Sequence, residues 1–262
     1  MRGMRRGPRA GAQERLGTED GYSPSWSADR QRVVFVGYSG EDEMEFRQDI
    51  YVMDADGTGV QRVTSGGAYE ASSFFPDGQR IAFAKYTRYG ADISVMNAAG
   101  TGTVNLTKSD QIDEFGSDWS PDGGKIAFTS ARYSGSDSPA ARVAESQEEG
   151  AFTPEALEPL AREASESKST AAVPDESVEV SVINADGTGR EDLTASRAHD
   201  ILPAFSPSVD EIVFSRVTFD RGSESSELFV MGSNGANKTQ ITDTPRAFEY
   251  EADWQPVLLP MP

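Results

Sequence analysis

The chain has 262 residues, of which 37% are hydrophobic and 26% are charged, with a formal net charge of -19 and no cysteine. The composition is typical of a protein with a sizeable core, and it excludes disulfides and thiolate metal sites. The acidic balance argues against nucleic acid as a partner, because phosphate binding requires clustered basic residues. No apolar run approaches the roughly 18 residues that span a membrane, so membrane insertion is not predicted.

Residues 1–20 are predicted to form a disordered basic tail. This tail contains Arg5 and Arg6 but lacks the apolar stretch of roughly 7–15 residues that a secretory signal requires. The sequence as it stands therefore predicts a cytoplasmic location. It gives no indication of the oligomeric state.

A repeat runs through the rest of the chain. Its marker is an aromatic residue at the start of a turn, and successive markers lie 48, 45, 86 and 49 residues apart, the longest interval being one repeat plus an insertion. The markers are Trp26, Phe74, Trp119, Phe205 and Trp254. A fixed period indicates units that bury their faces against one another, so we interpret these aromatics as spacers between neighbouring units.

Three short segments follow each of the first four markers, and their β-branched and aromatic content is typical of strands. The apolar segments are Arg32–Val36, Arg80–Ala84, Lys125–Thr129 and Glu211–Ser215. The two later segments fall within Asp49–Thr64, Asp92–Thr107, Val178–Thr194 and Glu227–Thr242. Glycine is expected at positive φ where Ser-Pro-Asp-Gly ends, and the Asp-Gly pairs at Gly57 and Gly187 match a type I′ turn.

Four antiparallel strands per unit without intervening helices predict an all-β fold, a β-propeller built of four-stranded antiparallel blades. The predicted propeller covers residues 21–262. It contains four full repeats and one extra first strand at Ala252–Pro256.

The repeat resembles that of the TolB-like β-propeller family. The resemblance is carried by Trp119–Phe128, which reads WSPDGGKIAF, and by Asp49–Gly59, which reads DIYVMDADGTG. It implies a propeller, in which the four repeats plus one strand would be an incomplete form of TolB's six-bladed ring. TolB itself is a periplasmic protein that binds other proteins, so a truncated N-terminus would imply a periplasmic or extracellular location. Similar propellers precede the catalytic domain of prolyl-oligopeptidase-type peptidases and restrict access to it.

Acidic residues recur just before the aromatic markers. Glu114, Asp200 and Glu249 stand five residues before the marker, and Glu70 stands four before. In a closed ring they would surround one mouth of the central channel, as a cation site, with Ca²⁺ the candidate ion, or as a socket for a basic peptide end. The alternative is that each acid caps its own turn or faces water. No other metal site or cofactor is predicted.

The long interval contains a segment, 134–177, rich in serine, alanine and glutamate. It is predicted to be an acidic, flexible insertion within the third blade. It is either a lid or partner-binding segment, or an ordinary surface insertion.

The sequence predicts no enzyme. There is one histidine, His199, and no Gly-x-Ser-x-Gly motif, so a Ser-His-Asp hydrolase lacks its parts. The leading hypothesis is a non-catalytic scaffold that binds a protein or peptide on its irregular, acidic loop face. The alternatives are the substrate-gating propeller of a peptidase whose hydrolase domain is absent, and a propeller that binds a carbohydrate or another small ligand.

Overall fold

The computed structural model describes residues 21–39, 47–87, 90–109, 112–132, 177–220, 223–244, 248–249 and 252–254. These residues form sixteen β-strands and no helix, so none of them belongs to a helix that could cross a membrane. The predicted tail at 1–20 lies outside the described residues, as does the predicted insertion apart from Ser177.

The strands form four separate sheets, each made of four antiparallel strands in chain order. The first blade contains β1 (Gly21–Trp26), β2 (Arg32–Ser39), β3 (Arg47–Asp54) and β4 (Gln61–Arg62). The second contains β5 (Tyr69–Phe74), β6 (Arg80–Thr87), β7 (Gly90–Asn97) and β8 (Val104–Asn105). The third contains β9 (Ile112–Trp119), β10 (Lys125–Arg132), β11 (Ser177–Asn184) and β12 (Glu191–Asp192). The fourth contains β13 (His199–Phe205), β14 (Glu211–Asp220), β15 (Ser223–Gly232) and β16 (Thr239–Gln240).

A serine and an aspartate fix the turn between the first two strands of a blade. In the third blade, the Ser120 hydroxyl donates to Asp122 Oδ1 at 2.7 Å, and the Lys125 N–H donates back to Ser120 Oγ at 2.8 Å. The turn ends at Gly123 with φ 72°, as predicted. The side chains of the turn thus replace the strand hydrogen bonds that end there.

Two blades make the same turn without glycine. The position of Gly123 is occupied by Arg30 in the first blade and by Val209 in the fourth, at φ 58° and 68°. This left-handed conformation is unfavourable for side chains with a Cβ, and most of all for a β-branched residue such as Val209.

The turn between the third and fourth strands differs from the predicted type. The Gly57 N–H donates to Asp54 O at 2.9 Å and Gly57 has φ 81°, but Asp56 is not at positive φ. A type I′ turn needs positive φ at both central residues, so the prediction is wrong. Asp56 Oδ1 instead accepts the N–H and the hydroxyl of Thr58, at 2.9 and 2.7 Å.

Neighbouring blades pack face to face through apolar side chains from alternate strand positions. The aromatic marker of the following blade lies in each of the three interfaces, and Phe74, Trp119 and Phe205 are all buried there. Their predicted role as spacers is confirmed. The prediction is wrong for Trp26, which is 54% exposed, because no described blade precedes the first one.

Each inner strand, the first strand of its blade, has an irregular register with the second strand. Three residues before the marker, the described backbone has positive φ at Ser23, Gly116 and Leu202. A β-bulge of this kind bends a strand locally. The Leu202 N–H donates to Thr129 Oγ1 of the preceding blade at 2.9 Å, so the bend also joins two blades.

The inner strands contact one another in the order β1, β5, β9, β13, as in a propeller, and the predicted fold class is confirmed. Among the described strands, no substantial contact joins β13 back to β1. The predicted lone strand at 252–256 is not formed over its described part, Ala252–Trp254, which pairs with none of the sixteen described strands. Glu249 and Trp254 still lie on the fourth blade, since the Ser226 hydroxyl donates to Glu249 O at 2.7 Å and Trp254 Nε1 donates to Ala204 O at 3.1 Å.

Candidate functional site

The polar side chains that connect blades lie at one end of the sheets. We call this the loop end, where β9 begins at Ile112 and β11 begins at Ser177, and we call the opposite end, with the turns at Asp122 and Asp186, the hairpin end. Connections between blades reach the loop end from the fourth strand of one blade to the inner strand of the next.

An acid near the start of the third strand is clamped to a threonine after the fourth strand in every blade. The pairs are Asp49 with Thr64, Asp92 with Thr107, Glu179 with Thr194, and Glu227 with Thr242. The threonine oxygen also accepts the N–H of the residue after the acid, at 2.8 to 3.1 Å. The clamp therefore closes the outer half of each blade. The constant 15-residue spacing between acid and threonine is a sequence signal that could have identified these residues.

A second acid, on the inner strand of the following blade, lies beside the clamp. Between the second and third blades, Ser109 joins the two carboxylates: its N–H donates to Asp92 Oδ1 at 2.8 Å and its hydroxyl to Glu114 Oε1 at 2.9 Å. Thr244 joins Glu227 and Glu249 in the same way, with distances of 2.9 and 2.8 Å. These junctions therefore hold carboxylates in pairs.

The junction between the third and fourth blades holds the pair Glu179 and Asp200. The Ser196 N–H donates to Glu179 Oε1 at 3.2 Å. Arg216 Nε and Nη2 donate to the two oxygens of Asp200 at 2.6 and 2.8 Å. This bidentate geometry is the strongest form of a carboxylate–guanidinium contact. The Asp200 hydrogen bond and the nearby Glu179 raise the pKa of Arg216.

Arg190 plays the corresponding part at the preceding junction. Its Nη1 forms an ion pair with Glu114 and donates to Ser109 Oγ at 2.8 Å, while Nη2 donates to Ser130 Oγ at 2.8 Å. The Glu114 side chain is completely buried. Burial raises the pKa of Glu114, whereas hydrogen bonding from Thr107 and the charge of Arg190 lower it. The arginine thus compensates a carboxylate that has lost its water.

Glu70 does not belong with the other three predicted acids. Glu114 lies opposite Ser130 and Asp200 lies opposite Arg216, and the equivalent residue of the second blade is Tyr69, opposite Lys85. Because successive strand residues point to opposite faces, Glu70 faces the other way, where the Tyr86 hydroxyl donates to it. The prediction that Glu70 completes a ring with the others is wrong.

Glu114, Asp200 and Glu249 occupy equivalent positions at successive junctions, but each is engaged by its own partners. Among the residues that the structure describes, no group of three or more histidines and acids is placed to hold a metal ion. The geometry therefore gives no support to a Ca²⁺ site.

Two further groups on the inner strands have unusual environments. His199 packs edge-on against Phe219 with 4.8 Å between ring centroids, its Nδ1 is buried without a hydrogen bond, and burial lowers its pKa. Asp118 Oδ2 accepts the N–H of Phe205 at 2.9 Å. Desolvation raises the pKa of Asp118 to about 7, and the charge of Asp253 acts in the same direction, although the side chain stays partly accessible to solvent.

Known proteins share both the repeat and the architecture. A family model for the TolB beta propeller domain matches residues 16–149. The structure is similar to TolB from Acinetobacter baumannii, with 19% identity and a TM-score of 0.57 over 86% of this chain and 44% of that one. It is also similar to a putative TolB from Agrobacterium tumefaciens, with 18% identity and a TM-score of 0.52 over 85% of this chain and 80% of that one.

The similarity extends to part of a peptidase. The acylaminoacyl peptidase of Pyrococcus horikoshii has 14% identity and a TM-score of 0.51 over 86% of this chain and 32% of that one. This chain thus spans less than half the length of the Acinetobacter TolB and of the peptidase. The family model covers just over half of this chain, and the chain therefore belongs to the TolB beta propeller domain family.

Proposed function

We propose that this chain is a non-catalytic propeller that binds a basic segment of another protein at its loop end. The observation that carries the proposal is the set of six paired carboxylates at three successive junctions. They are Asp92, Glu114, Glu179, Asp200, Glu227 and Glu249. Among the described residues, only two arginines form ion pairs with them. The connections also carry Lys108 and Arg197, which are exposed, and the six carboxylates still outnumber these four cations.

Such a surface favours a basic polypeptide for electrostatic reasons. Complementary charge accelerates encounter and selects among partners, and the chain's net charge of -19 adds to the field. The irregular connections lie at this end, and binding residues of repeat folds are concentrated in such loops.

The environment of His199 supports a role without catalysis. A histidine base requires a partner that orients its ring, but Nδ1 of His199 has no hydrogen bond and the neighbouring Asp200 is occupied by Arg216. The ring lies against Phe219 instead. His199 is the one histidine in the sequence, so no second histidine could act as the base.

The proposal is tested with a lysine-rich 12-residue peptide and an acidic peptide of equal length. We expect the basic peptide alone to bind, with an affinity that falls as salt is raised. Hydrogen exchange should be slowed in the connections before β9 and β13 and unchanged in the turns at Asp122 and Asp186. Equal binding of both peptides, no binding, or protection confined to the hairpin end would overturn the proposal.

A further inference from the structure

The inner-strand acid of the third and of the fourth blade is closed by an arginine. Arg190 precedes β12, the fourth strand of its blade, and Arg216 lies on β14, the second strand of its blade. The two arginines thus come from different positions of the repeat yet reach equivalent carboxylates. In both cases the guanidinium offsets the cost of burying a carboxylate without water.

The junction that follows the fourth blade repeats this arrangement without the arginine. Thr244 holds Glu227 and Glu249 as Ser109 holds Asp92 and Glu114, with hydrogen bonds that agree within 0.1 Å. Among the described residues, no arginine or lysine forms an ion pair with Glu227 or Glu249. Glu249 Oε2 has no hydrogen-bond partner, and neither has Glu114 Oε2 at the junction that Arg190 closes. What distinguishes the junction at Glu249 is therefore the missing cation.

A second buried group on the same side of the fourth blade is also unpaired. Ser215 is completely buried and its hydroxyl has no partner. It occupies the position of Thr129, whose hydroxyl accepts the Leu202 N–H from the next blade's inner strand. Ser215 faces the same way as Ser226, whose hydroxyl donates to Glu249 O at 2.7 Å. The unpaired serine therefore faces the segment that holds Glu249.

The repeat indicates where the missing cation would come from. Arginines equivalent to Arg190 or Arg216 would lie on the later strands of a fifth blade, beyond Trp254. A second copy of this chain placed there by the same repeat would present Val60 and Gly37 at these two positions. Neither carries a charge, so self-association does not complete the site.

We propose that Glu249 and Thr244 form a receptor for the guanidinium of an arginine that a different polypeptide presents beside the fourth blade. This proposal rests on the proposed protein-binding function and specifies the chemistry of one contact. An arginine suits the site because its planar group can contact the carboxylate and the threonine hydroxyl together, as Arg190 does with Glu114 and Ser109. Flanking apolar residues of the partner would cover the exposed Phe248 and the partly exposed Trp254.

The test uses the full chain and the peptide acetyl-Thr-Val-Arg-Val-Thr-amide, with citrulline replacing arginine as the neutral control. Binding is measured by calorimetry at low salt. We expect the arginine peptide to bind at least about tenfold more tightly, because a charge-assisted contact of about 1.4 kcal/mol is lost with citrulline. Glu249→Gln should abolish the preference, Thr244→Val should reduce it, and Glu191→Gln, at an exposed acid of β12, should leave it unchanged.

Equal affinity for the two peptides would overturn the receptor without requiring any variant to fold. A preference that survives Glu249→Gln would also overturn it. The lysine-rich peptide separates this proposal from the broader one. If that peptide binds at the loop end while arginine and citrulline are not distinguished, the protein-binding function stands and the receptor fails. If the distinction depends on Glu249 but the lysine-rich peptide does not bind, the receptor stands and the broader function fails.

Discussion

In the hairpin turns, the acids Asp56 and Asp122 bond to residues two positions away, whereas at the loop end acids bond to residues five to 76 positions away (109 to 114, and 114 to 190). The pKa values follow this difference. Hydrogen bonds from Thr58 lower the pKa of Asp56, and the Gly124 N–H lowers that of Asp122. Burial raises the pKa of Glu114.

The comparison teaches that the two ends serve different purposes. The acids of the hairpin turns are solvated and complete within a single turn, so they specify local backbone geometry. The fully buried loop-end acids Glu114 and Asp200 need partners from elsewhere in the chain. Among the described residues, the carboxylate oxygens that are buried without a hydrogen bond lie at the loop end, on Glu114 and Glu249.

Removing Arg190 should produce the largest effect. Arg190→Ala leaves the buried Glu114 carboxylate without its cation, and we expect a loss of about 3 kcal/mol in the free energy of unfolding at pH 7. Because the folded pKa of Glu114 would then rise further, acidification should restore part of the loss. The control is Arg132→Ala, since its ion pair with Asp192 is more exposed and should contribute less than about 1 kcal/mol. If urea unfolding showed equal losses of stability for Arg190→Ala and Arg132→Ala, the buried ion pair would contribute no more than the exposed one.

The threonine clamp should contribute more than the equivalent threonine at the hairpin end. Thr194→Val removes the donor to Glu179 and the acceptor for the Val180 N–H, both buried, and should cost about 2 kcal/mol. Thr188→Val removes exposed hydrogen bonds to Asp186 and Asn184 and should cost well under half of that. Chemical denaturation of both variants measures the difference, which a larger loss from Thr188→Val would refute.

Asp118, which lies just before the hairpin turn of the third blade, makes stability depend on pH in the direction opposite to the turn acid Asp122. Its pKa is raised from 3.8 to about 7, so the folded protein binds the extra proton between these values and stability falls as pH rises from 4 to 7. Asp118→Asn should remove this slope and gain roughly 1 kcal/mol at pH 8, a modest figure because the side chain is partly solvated. Unfolding at a series of pH values checks this.

Asp122→Asn should change the dependence of stability on pH in the opposite direction. The pKa of Asp122 is lowered, so its ionised form contributes stability above the unfolded pKa that is lost on acidification. Asparagine should therefore reduce stability at neutral pH and have less effect in acid. Parallel slopes for the two variants would show that burial does not distinguish Asp118 from the turn acid Asp122.

The smallest effect is expected at the strained turn of the fourth blade. Val209→Gly relieves a β-branched residue at φ 68°, and we expect a gain of roughly 0.5 kcal/mol after the entropy cost of glycine in the unfolded chain. Val209→Ala is the matched control, because it shortens the side chain but leaves a Cβ in the left-handed region. A glycine variant no more stable than the alanine variant in thermal unfolding would refute the strain.

The sequence predicted the hairpin end better than the loop end, for a physical reason. The Ser-Pro-Asp-Gly turns are decided by neighbouring residues, so the position of Gly123 at positive φ could be read directly. The assignment of Glu70 failed because a one-residue shift reverses the face of a strand, and Glu70 stands four rather than five residues before its aromatic. The prediction that Trp26 is a buried spacer failed because burial of its ring depends on a neighbouring blade. Arg190 and Arg216 could not be predicted as equivalent, since they reach the same kind of carboxylate from different strands.

The threonine clamp also bears on the order in which the chain folds. It links residues 15 positions apart, so the third and fourth strands with their turn can close as a unit at small loop-closure cost. Contacts between residues close in sequence form quickly compared with those between blades. We therefore expect outer hairpins such as Asp92–Thr107 to form early. Arg190, whose contact with Ser109 spans 81 residues, would then join them late, once the blades have assembled.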